Sequence, residues 1–308
     1  MSKKSMTLLL ALLLLMCMSA VLAEDTPITL TDMYGREITL SEPATRIVAL
    51  TPADCEILCA LGCEEMLVGR GEYCDYPASI QEIPVVQSGS DTNIEEILAL
   101  YPQIVIMNDM AQTEDQVRML EGNGVQVVIS DANDIEGVYT AIRMMGRLMA
   151  REEEAEALIA EMQAAFDSVA AESENTGKTV YFEVSPLQYG LWTAGSNTFM
   201  DELAALCGLT NAFADVEGWA AVSEEQVIAR DPDYIVTITM YGDGGMTPVE
   251  EILSRAGWES MKAVVSGAVF NADSNAISRP GPRLKDAAME LSAFLRNAES
   301  ETEEAPAA

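Results

Sequence analysis

The sequence contains no histidine among its 308 residues. Imidazole is a frequent protein ligand of zinc and manganese and the usual base of serine and cysteine hydrolases. The chain also lacks a G-x-S-x-G nucleophile elbow, a phosphate-binding G-x-x-x-x-G-K loop and a G-x-G-x-x-G dinucleotide motif. These absences argue against a protein that binds bare metal ions and against the common enzyme classes. A carboxylate-based enzyme is the catalytic alternative that stays open.

Positive charge is also scarce. The chain has 17 lysines and arginines and 50 aspartates and glutamates, which gives a formal net charge of −33 at pH 7. A surface of this sign repels the phosphates of nucleic acids and of anionic lipids. We therefore expect neither as a partner, whereas a basic patch on another protein would be attracted. Much of the charge is also explained by the solubility that an exported protein needs.

Long apolar runs are missing except at the amino terminus. The run MTLLLALLLLMCM follows the basic start MSKK and precedes the small residues SAVLA. This order predicts a signal peptide over residues 1–23, with cleavage after Ala23 and export to the periplasm or the outer cell surface. A lipid anchor on Cys17 is the alternative, although Met16 is bulky where lipoprotein cleavage sites usually carry a small residue.

The cysteines are odd in number after export, which argues against a complete disulfide framework. Cys55 and Cys59 in CEILCALGC share one helical face, and Cys63 follows the helix end. Two interpretations remain for these three thiols. They are small apolar side chains that pack a helix against a sheet, which we favour, or they form a thiolate metal site.

Strands alternate with helices along most of the chain, which predicts an α/β fold with mostly parallel sheets. Residues 24–148, opened by a hairpin over 28–40, form one such block, and residues 176–298 form another. Between them, residues 149–175 contain a long helical pattern without glycine or proline over 151–174. We therefore predict two doubly wound lobes joined by one long backbone helix. The acidic end, residues 299–308, is predicted to be disordered.

One helix-strand sequence pattern occurs twice in the chain. NIEEILALYPQIVI, residues 93–106, returns as SEEQVIARDPDYIV, residues 223–236, at a constant offset of 130 residues that aligns Glu95 with Glu225. Asn93 and Ser223 are good helix caps, and an acid in the first turn favours the helix dipole. Alternatively, the two glutamates are exposed at matching places on two similar lobes, where they would bind arginines of a symmetric partner.

Seven segments in order resemble one family: DMYGREITL, RIVALTPADCEILCALG, VGRGEYCDYP, TNIEEILALYPQIVI, WTAGSNTFMDELAALCGLTNAF, VSEEQVIARDPDYIV and SRPGPRLKDA. The family is the substrate-binding proteins of ABC importers for vitamin B12, ferric siderophores and haem. The resemblance implies two Rossmann-like lobes, one backbone helix and a ligand cleft between the lobes. It also implies a monomeric binding protein without catalysis, whose Glu95 and Glu225 meet arginines of the two permease subunits.

The loops at the carboxyl ends of the strands should face that cleft. They carry aromatic side chains, which suit a large, flat and partly apolar ligand. Within the family the best local match is to vitamin B12 binders, whose cleft residues align with Tyr73, Trp192, Trp219 and Arg279. Gly89, Asn108 and Asn275 depart from that pattern and point to an altered pocket. The predicted ligand-binding residues are Tyr73, Tyr76, Trp192, Trp219, Tyr241 and Arg279.

Several ligands remain open at this stage. A cobalt corrinoid is the first expectation, and a ferric siderophore, with Arg70, Arg279 and Arg283 as basic contacts, is the alternative. Haem would need tyrosine or methionine as its axial ligand, because histidine is absent. The cobalt or iron would arrive inside its organic chelate, so no permanent cofactor and no metal-binding side chain is predicted. A ligand-sensing module built on the same cleft is the alternative from another class.

Overall fold

The structure is a computed structural model that describes residues 27–108, 113–238 and 245–304. The predicted signal peptide, the candidate lipidation site Cys17 and the predicted ligand residue Tyr241 lie outside these ranges. In the ranges described, no helix is long and apolar enough to cross a membrane.

The first lobe is a parallel sheet preceded by the predicted hairpin. Strands β1 (Ile28–Thr31) and β2 (Glu37–Leu40) pair antiparallel. The sheet contains β3 (Ile47–Ala49), β4 (Leu67–Gly71), β5 (Val85–Val86), β6 (Ile104–Met107) and β7 (Gln126–Ile129), in the order β5-β4-β3-β6-β7. Its helices are α1 (Pro52–Ala60), α2 (Ile94–Ala99), α3 (Glu114–Gly122) and α4 (Ile135–Leu148).

The long helix predicted over 151–174 is present as α5 (Glu152–Glu172). Its 21 residues span about 32 Å at 1.5 Å per residue. One stripe of the helix is buried, formed by Ala155, Leu158, Ile159, Met162, Phe166 and Val169, which are the apolar positions that the sequence pattern selected. This stripe packs against α4 and against the last helix of the chain.

The second lobe repeats the plan with a smaller sheet. Its strands are β8 (Thr179–Glu183), β9 (Trp192–Ala194), β10 (Thr210–Asn211), β11 (Trp219–Ala221), β12 (Tyr234–Thr237) and β13 (Val269–Asn271). Strands β10-β8-β12-β13 form a parallel sheet, and β9 pairs with β11 in a separate antiparallel ribbon. The helices are α6 (Phe199–Leu206), α7 (Glu224–Arg230), α8 (Pro248–Leu253), α9 (Lys262–Ser266), α10 (Ser274–Ile277) and α11 (Leu284–Glu304).

The repeated sequence pattern, residues 93–106 and 223–236, folds into the same helix-strand unit in both lobes. Helix α2 is capped by Asn93 and α7 by Ser223, and strands β6 and β12 begin 130 residues apart. The agreement extends to the backbone, because Tyr101 and Asp231, also 130 residues apart, both adopt a positive φ, of 49° and 45°. The two sheets also share one strand order. In β4-β3-β6-β7 of the first lobe and in β10-β8-β12-β13 of the second, the second of these strands along the chain lies at one end of the four, followed by the first, the third and the fourth.

The acidic end of the chain departs from the prediction of disorder over residues 299–308. Helix α11 continues through the glutamates to Glu304, and residues 305–308 lie outside the described ranges. Extending an existing helix adds one hydrogen bond for each residue fixed and avoids the cost of nucleation. The stretch ESETEE contains neither glycine nor proline, so nothing in it ends the helix.

One hydrophobic core continues from the first lobe into the second. It contains Ile47 and Ile104 of the first sheet, Ile159 of α5, Val236 of the second sheet and Leu291 of α11. Because close-packed interiors deform little, we expect the lobes to move by small amounts relative to each other.

Candidate functional site

Two tryptophans lie side by side on the β9–β11 ribbon. In its register Ala194 faces Trp219 and Ala221 faces Trp192, so the two tryptophans are diagonal neighbours on one face, with Cα atoms about 7–8 Å apart by the usual sheet spacing. Trp192 is 43% exposed and Trp219 is 37% exposed. Most large apolar side chains of the described chain are buried, so this ribbon offers an aromatic surface to a ligand.

The ribbon lies next to the junction between the lobes. Trp219 packs against Phe199 at the start of α6, with 5.4 Å between ring centroids. The backbone N–H of Phe199 donates to the carbonyl oxygen of Asn133, just before α4, at 2.8 Å. Glu202 of α6 accepts from the N–H of Ile135 at 2.6 Å. The aromatic face of the second lobe therefore adjoins the end of the first sheet.

The loop after β4 brings two predicted tyrosines to the other side of the junction. Tyr73 is 69% exposed and is the more available of the two. Tyr76 is 47% exposed, and the guanidinium of Arg283 stacks 4.2 Å from its ring centroid. Tyr76 also lines a cavity of about 350 Å³ together with Leu158 and Glu161 of α5. This second tyrosine thus faces the linking helix, where an arginine already covers its ring.

Arg279, predicted as a cleft arginine, is held by two carboxylates of the first lobe. Its Nη1 donates to Glu56 Oε1 at 3.0 Å and to Asp75 Oδ1 at 2.7 Å. Arg283 donates to the same Glu56 through Nε at 2.9 Å and Nη2 at 2.6 Å. Burial opposes ionisation of Asp75, but Arg279 outweighs it and holds the pKa of Asp75 below its usual range. The cluster therefore joins the lobes by ion pairs.

The third candidate arginine, Arg70, is structural. It is buried, and its guanidinium donates to the carbonyl oxygens of Ile80, Cys74 and Gln81 at 3.0, 2.7 and 3.1 Å. These bonds fix the loop that carries Tyr73 and Tyr76. The three arginines suggested for an anionic siderophore thus all make bonds within the chain, and their contact with a ligand remains a prediction.

The paired glutamates are exposed in the first turns of α2 and α7. Each helix leads back to the amino end of the next parallel strand, so its first turn lies at the carboxyl edge of the sheet. Glu224, beside Glu225, is partly buried and has a partner within the chain. It accepts a hydrogen bond from Trp258 Nε1 at 3.1 Å. Trp258 is fully buried. Hydrogen bonds from its own backbone N–H and from Ser223 lower the pKa of Glu225.

The five cysteines within the described ranges are buried or half-buried free thiols. Cys55 and Cys74 both donate to the carbonyl oxygen of Ala49, at 3.7 and 3.9 Å. Burial raises the pKa of Cys59 to about 12. Among the residues with described positions, no cluster of three or more cysteines or carboxylates is arranged to hold a metal ion.

Asp54 at the start of α1 is fully buried, and burial raises its pKa to about 6. Because the folded protein binds this proton more tightly than the unfolded chain, stability from this group grows as pH falls through 6 and is lost as pH rises. We expect Asp54→Asn to stabilise the protein at pH 7 by up to about 2 kcal/mol and to add little at pH 4. Urea unfolding at both pH values measures this, with Asp91→Asn as the exposed control. Equal effects at the two pH values would contradict the prediction.

Glu56 is the residue of the lobe junction that the sequence patterns missed. It lies in ADCEILCALG among apolar residues and is only 3% exposed. An acid on the buried face of an amphipathic helix needs a partner of opposite charge. The apolar neighbours of Glu56 in the sequence therefore indicated a buried, paired carboxylate. The partners themselves come from a segment more than 220 residues later, which local patterns cannot identify.

The fold and the site define a two-lobed α/β binding protein with an aromatic face at the lobe junction. The family described as periplasmic binding protein matches residues 47–276, and the chain belongs to this family. This result confirms the predicted family and the predicted fold class.

Three similar proteins illustrate the relationship. The uncharacterized ABC transporter substrate-binding lipoprotein YvrC of Bacillus subtilis is 29% identical over 272 residues, 86% of this chain and 84% of the relative. The vitamin B12-binding protein of Salmonella choleraesuis is 31% identical over 204 residues, 65% of this chain and 74% of the relative. A solved structure from Staphylococcus epidermidis, titled as a possible iron-binding periplasmic solute-binding protein, has a TM-score of 0.71 at 28% identity, covering 82% and 99% of the two chains.

Proposed function

We propose that the protein is the substrate-binding component of an ABC importer, and that it captures a cobalamin-like corrinoid at the lobe junction. The exposed pair Trp192 and Trp219 on one face of the ribbon carries this proposal. A corrin ring is a broad, flat surface, and rigid aromatic side chains bury such a surface with little loss of conformational entropy. The vitamin B12-binding relative supports the same ligand class.

The charge of the junction also favours a chelate that is neutral or positive. Arg279 and Arg283 are already paired with Glu56 and Asp75, and Arg70 is tied to backbone carbonyls. A highly anionic catecholate siderophore would therefore need to break ion pairs that the protein makes internally. Tyr73 on the first lobe and the two tryptophans on the second are the proposed ligand contacts, with Arg279 beside them.

A ferric siderophore is the second candidate, because a structural neighbour is titled as a possible iron-binding protein. The test is thermal unfolding of the mature protein with cyanocobalamin, cobinamide, several ferric siderophores and haem. A ligand at a hundred times its Kd stabilises a protein by about 2.7 kcal/mol, which is easily detected. A shift with the corrinoids alone supports the proposal. A shift with a siderophore alone replaces it by the second candidate.

We expect Trp192→Ala and Trp219→Ala each to weaken cobalamin binding by at least about tenfold, because truncating a buried aromatic contact costs more than 1.4 kcal/mol. Isothermal titration of the purified protein measures the affinity. Tyr34→Ala removes another exposed aromatic ring, from the hairpin of the first lobe, and should leave the affinity unchanged. Unchanged affinity in both tryptophan variants would exclude the ribbon as the ligand face.

Export is proposed on the signal-like amino terminus, with delivery to permease subunits through Glu95 and Glu225. Cleavage after Ala23 and lipidation of Cys17 predict mature chains of different mass. The Bacillus subtilis relative is named a lipoprotein, which favours testing the anchor directly. Mass spectrometry of the intact mature protein distinguishes an unmodified chain that begins at Glu24 from a diacylated or triacylated chain that begins at Cys17.

A further inference from the structure

One buried carboxylate of the first lobe receives two arginines of the second. Glu56 of α1 accepts from Arg279 Nη1 at 3.0 Å, and from Arg283 Nη2 at 2.6 Å and Nε at 2.9 Å. Its side chain is 2% exposed, and those of Arg279 and Arg283 are 12% and 13% exposed. Such a carboxylate acts as a fixed counter-charge, because water contributes little to screening it.

Each of the two arginines also makes a further contact besides the one to Glu56. Arg279 Nη1 reaches Asp75 at 2.7 Å, and its Nη2 lies 3.4 Å from the carbonyl oxygen of Tyr73. Arg283 Nη2 donates to the carbonyl oxygen of Asn275 at 3.3 Å. Two positive and two negative side chains thus cancel. Neither guanidinium presents an unopposed charge beside the loop of Tyr73.

We propose that Glu56 is a specificity-determining residue that excludes anionic metal chelates by neutralising Arg279 and Arg283. This proposal rests on the proposed function, because it concerns the ligand of the same junction. Removing the carboxylate leaves Asp75 as the single counter-charge for two guanidiniums. The junction would then gain one positive charge next to Tyr73, where a negative chelate could be bound.

The test compares Glu56→Gln with Glu65→Gln in the purified full-length mature protein. Glu65 is exposed on the turn after α1, so its substitution removes the same charge from the same lobe away from the arginines. The probes are a synthetic ferric tris-catecholate complex and neutral cyanocobalamin. We expect the catecholate to bind Glu56→Gln at least about tenfold more tightly than the wild type, as one added unit charge near a ligand implies.

Circular dichroism and thermal unfolding establish that the variant is folded. Asp75→Asn, whose parent carboxylate is half-exposed, provides a second variant that leaves Glu56 in place. It should change catecholate affinity in the same direction by a smaller factor, even if Glu56→Gln does not fold.

Folded variants that bind the catecholate no better than Glu65→Gln would overturn the proposal and leave Glu56 as an interlobe tie only. The proposed corrinoid ligand is tested separately. It would be rejected if the wild-type protein did not bind cyanocobalamin. The catecholate measurement does not depend on that result. The two failures are therefore distinguishable in one series of titrations.

Discussion

Replacing Glu95 and Glu225 together by alanine is expected to abolish import while ligand affinity stays unchanged. Both carboxylates are exposed in the first turns of matching helices, and the proposed contacts are bidentate pairs with permease arginines. Losing one partner of such a pair at an interface costs about 2–5 kcal/mol. The double variant should therefore lower uptake by at least about a hundredfold when the binding protein is limiting.

The measurement is uptake of labelled cobalamin by cells whose own copy of the protein carries the substitutions, together with titration of the purified variant. Each single variant should show an intermediate loss, since each lobe would contact one permease subunit. The folding cost is small, because a first-turn acid contributes only about 0.3–1 kcal/mol through the helix dipole.

Glu152→Ala/Glu153→Ala is the matched control. These residues are exposed in the first turn of α5, so the control removes two acids from equivalent helical positions. Uptake should stay at the wild-type level in this control. Wild-type uptake in Glu95→Ala/Glu225→Ala would refute the docking role and leave both residues as first-turn acids that favour the helix dipole.

Of the substitutions proposed for this protein, Arg255→Met is expected to lower the free energy of unfolding the most. Arg255 donates to both oxygens of Glu183, at 2.6 and 2.8 Å, and the Glu183 side chain is completely buried. Arg255 also pairs with Glu251 and stacks 4.6 Å from the ring centroid of Trp258. Removing one member of a buried ion pair costs about 3–5 kcal/mol, because the other charge is left without compensation.

The loss should depend on pH in a defined direction. Burial already raises the pKa of Glu183 despite the opposing effect of Arg255. Without the arginine the folded-state pKa rises further above the unfolded value, so the folded variant takes up a proton as pH falls. The deficit of Arg255→Met is therefore largest at neutral pH and shrinks toward acidic pH. Urea unfolding at pH 7 and pH 5 measures it.

Glu183→Leu/Arg255→Met should recover most of the lost stability, because replacing both charges by apolar side chains is often neutral. Arg118→Met removes an exposed arginine that pairs with Asp115 and should cost at most about 1 kcal/mol. If Arg255→Met costs no more than this surface control, the buried network does not stabilise the second lobe.

Much of the architecture could be predicted because it depends on short-range patterns. Helix α5 has a continuous stripe of apolar positions at helical spacing, and helix formation needs only neighbours in sequence. The repeat around Glu95 and Glu225 carries its own caps at Asn93 and Ser223. The end of α11 was predicted less well, because composition indicates disorder while an established helix propagates into the same residues.

The candidate site was only partly predictable, because its contacts join distant segments. The positions of Trp192 and Trp219 suggested an aromatic surface, but their common face depends on the register of β9 with β11. Arg279 was identified as a basic residue near the cleft, whereas its charge is taken by Glu56 and Asp75. A charge pattern along the chain cannot show which oppositely charged groups will meet.

The sequence by itself determined the two α/β lobes, the linking helix and the duplicated helix-strand unit with its glutamates. These features follow from hydrophobic periodicity and capping, which act over a few residues. Only the tertiary structure decided that the arginines are neutralised, that Tyr76 faces the linking helix, and that Arg255 is buried with Glu183. Those outcomes depend on which side chains are brought together and shielded from water, because the strength of an ionic interaction depends on distance and burial.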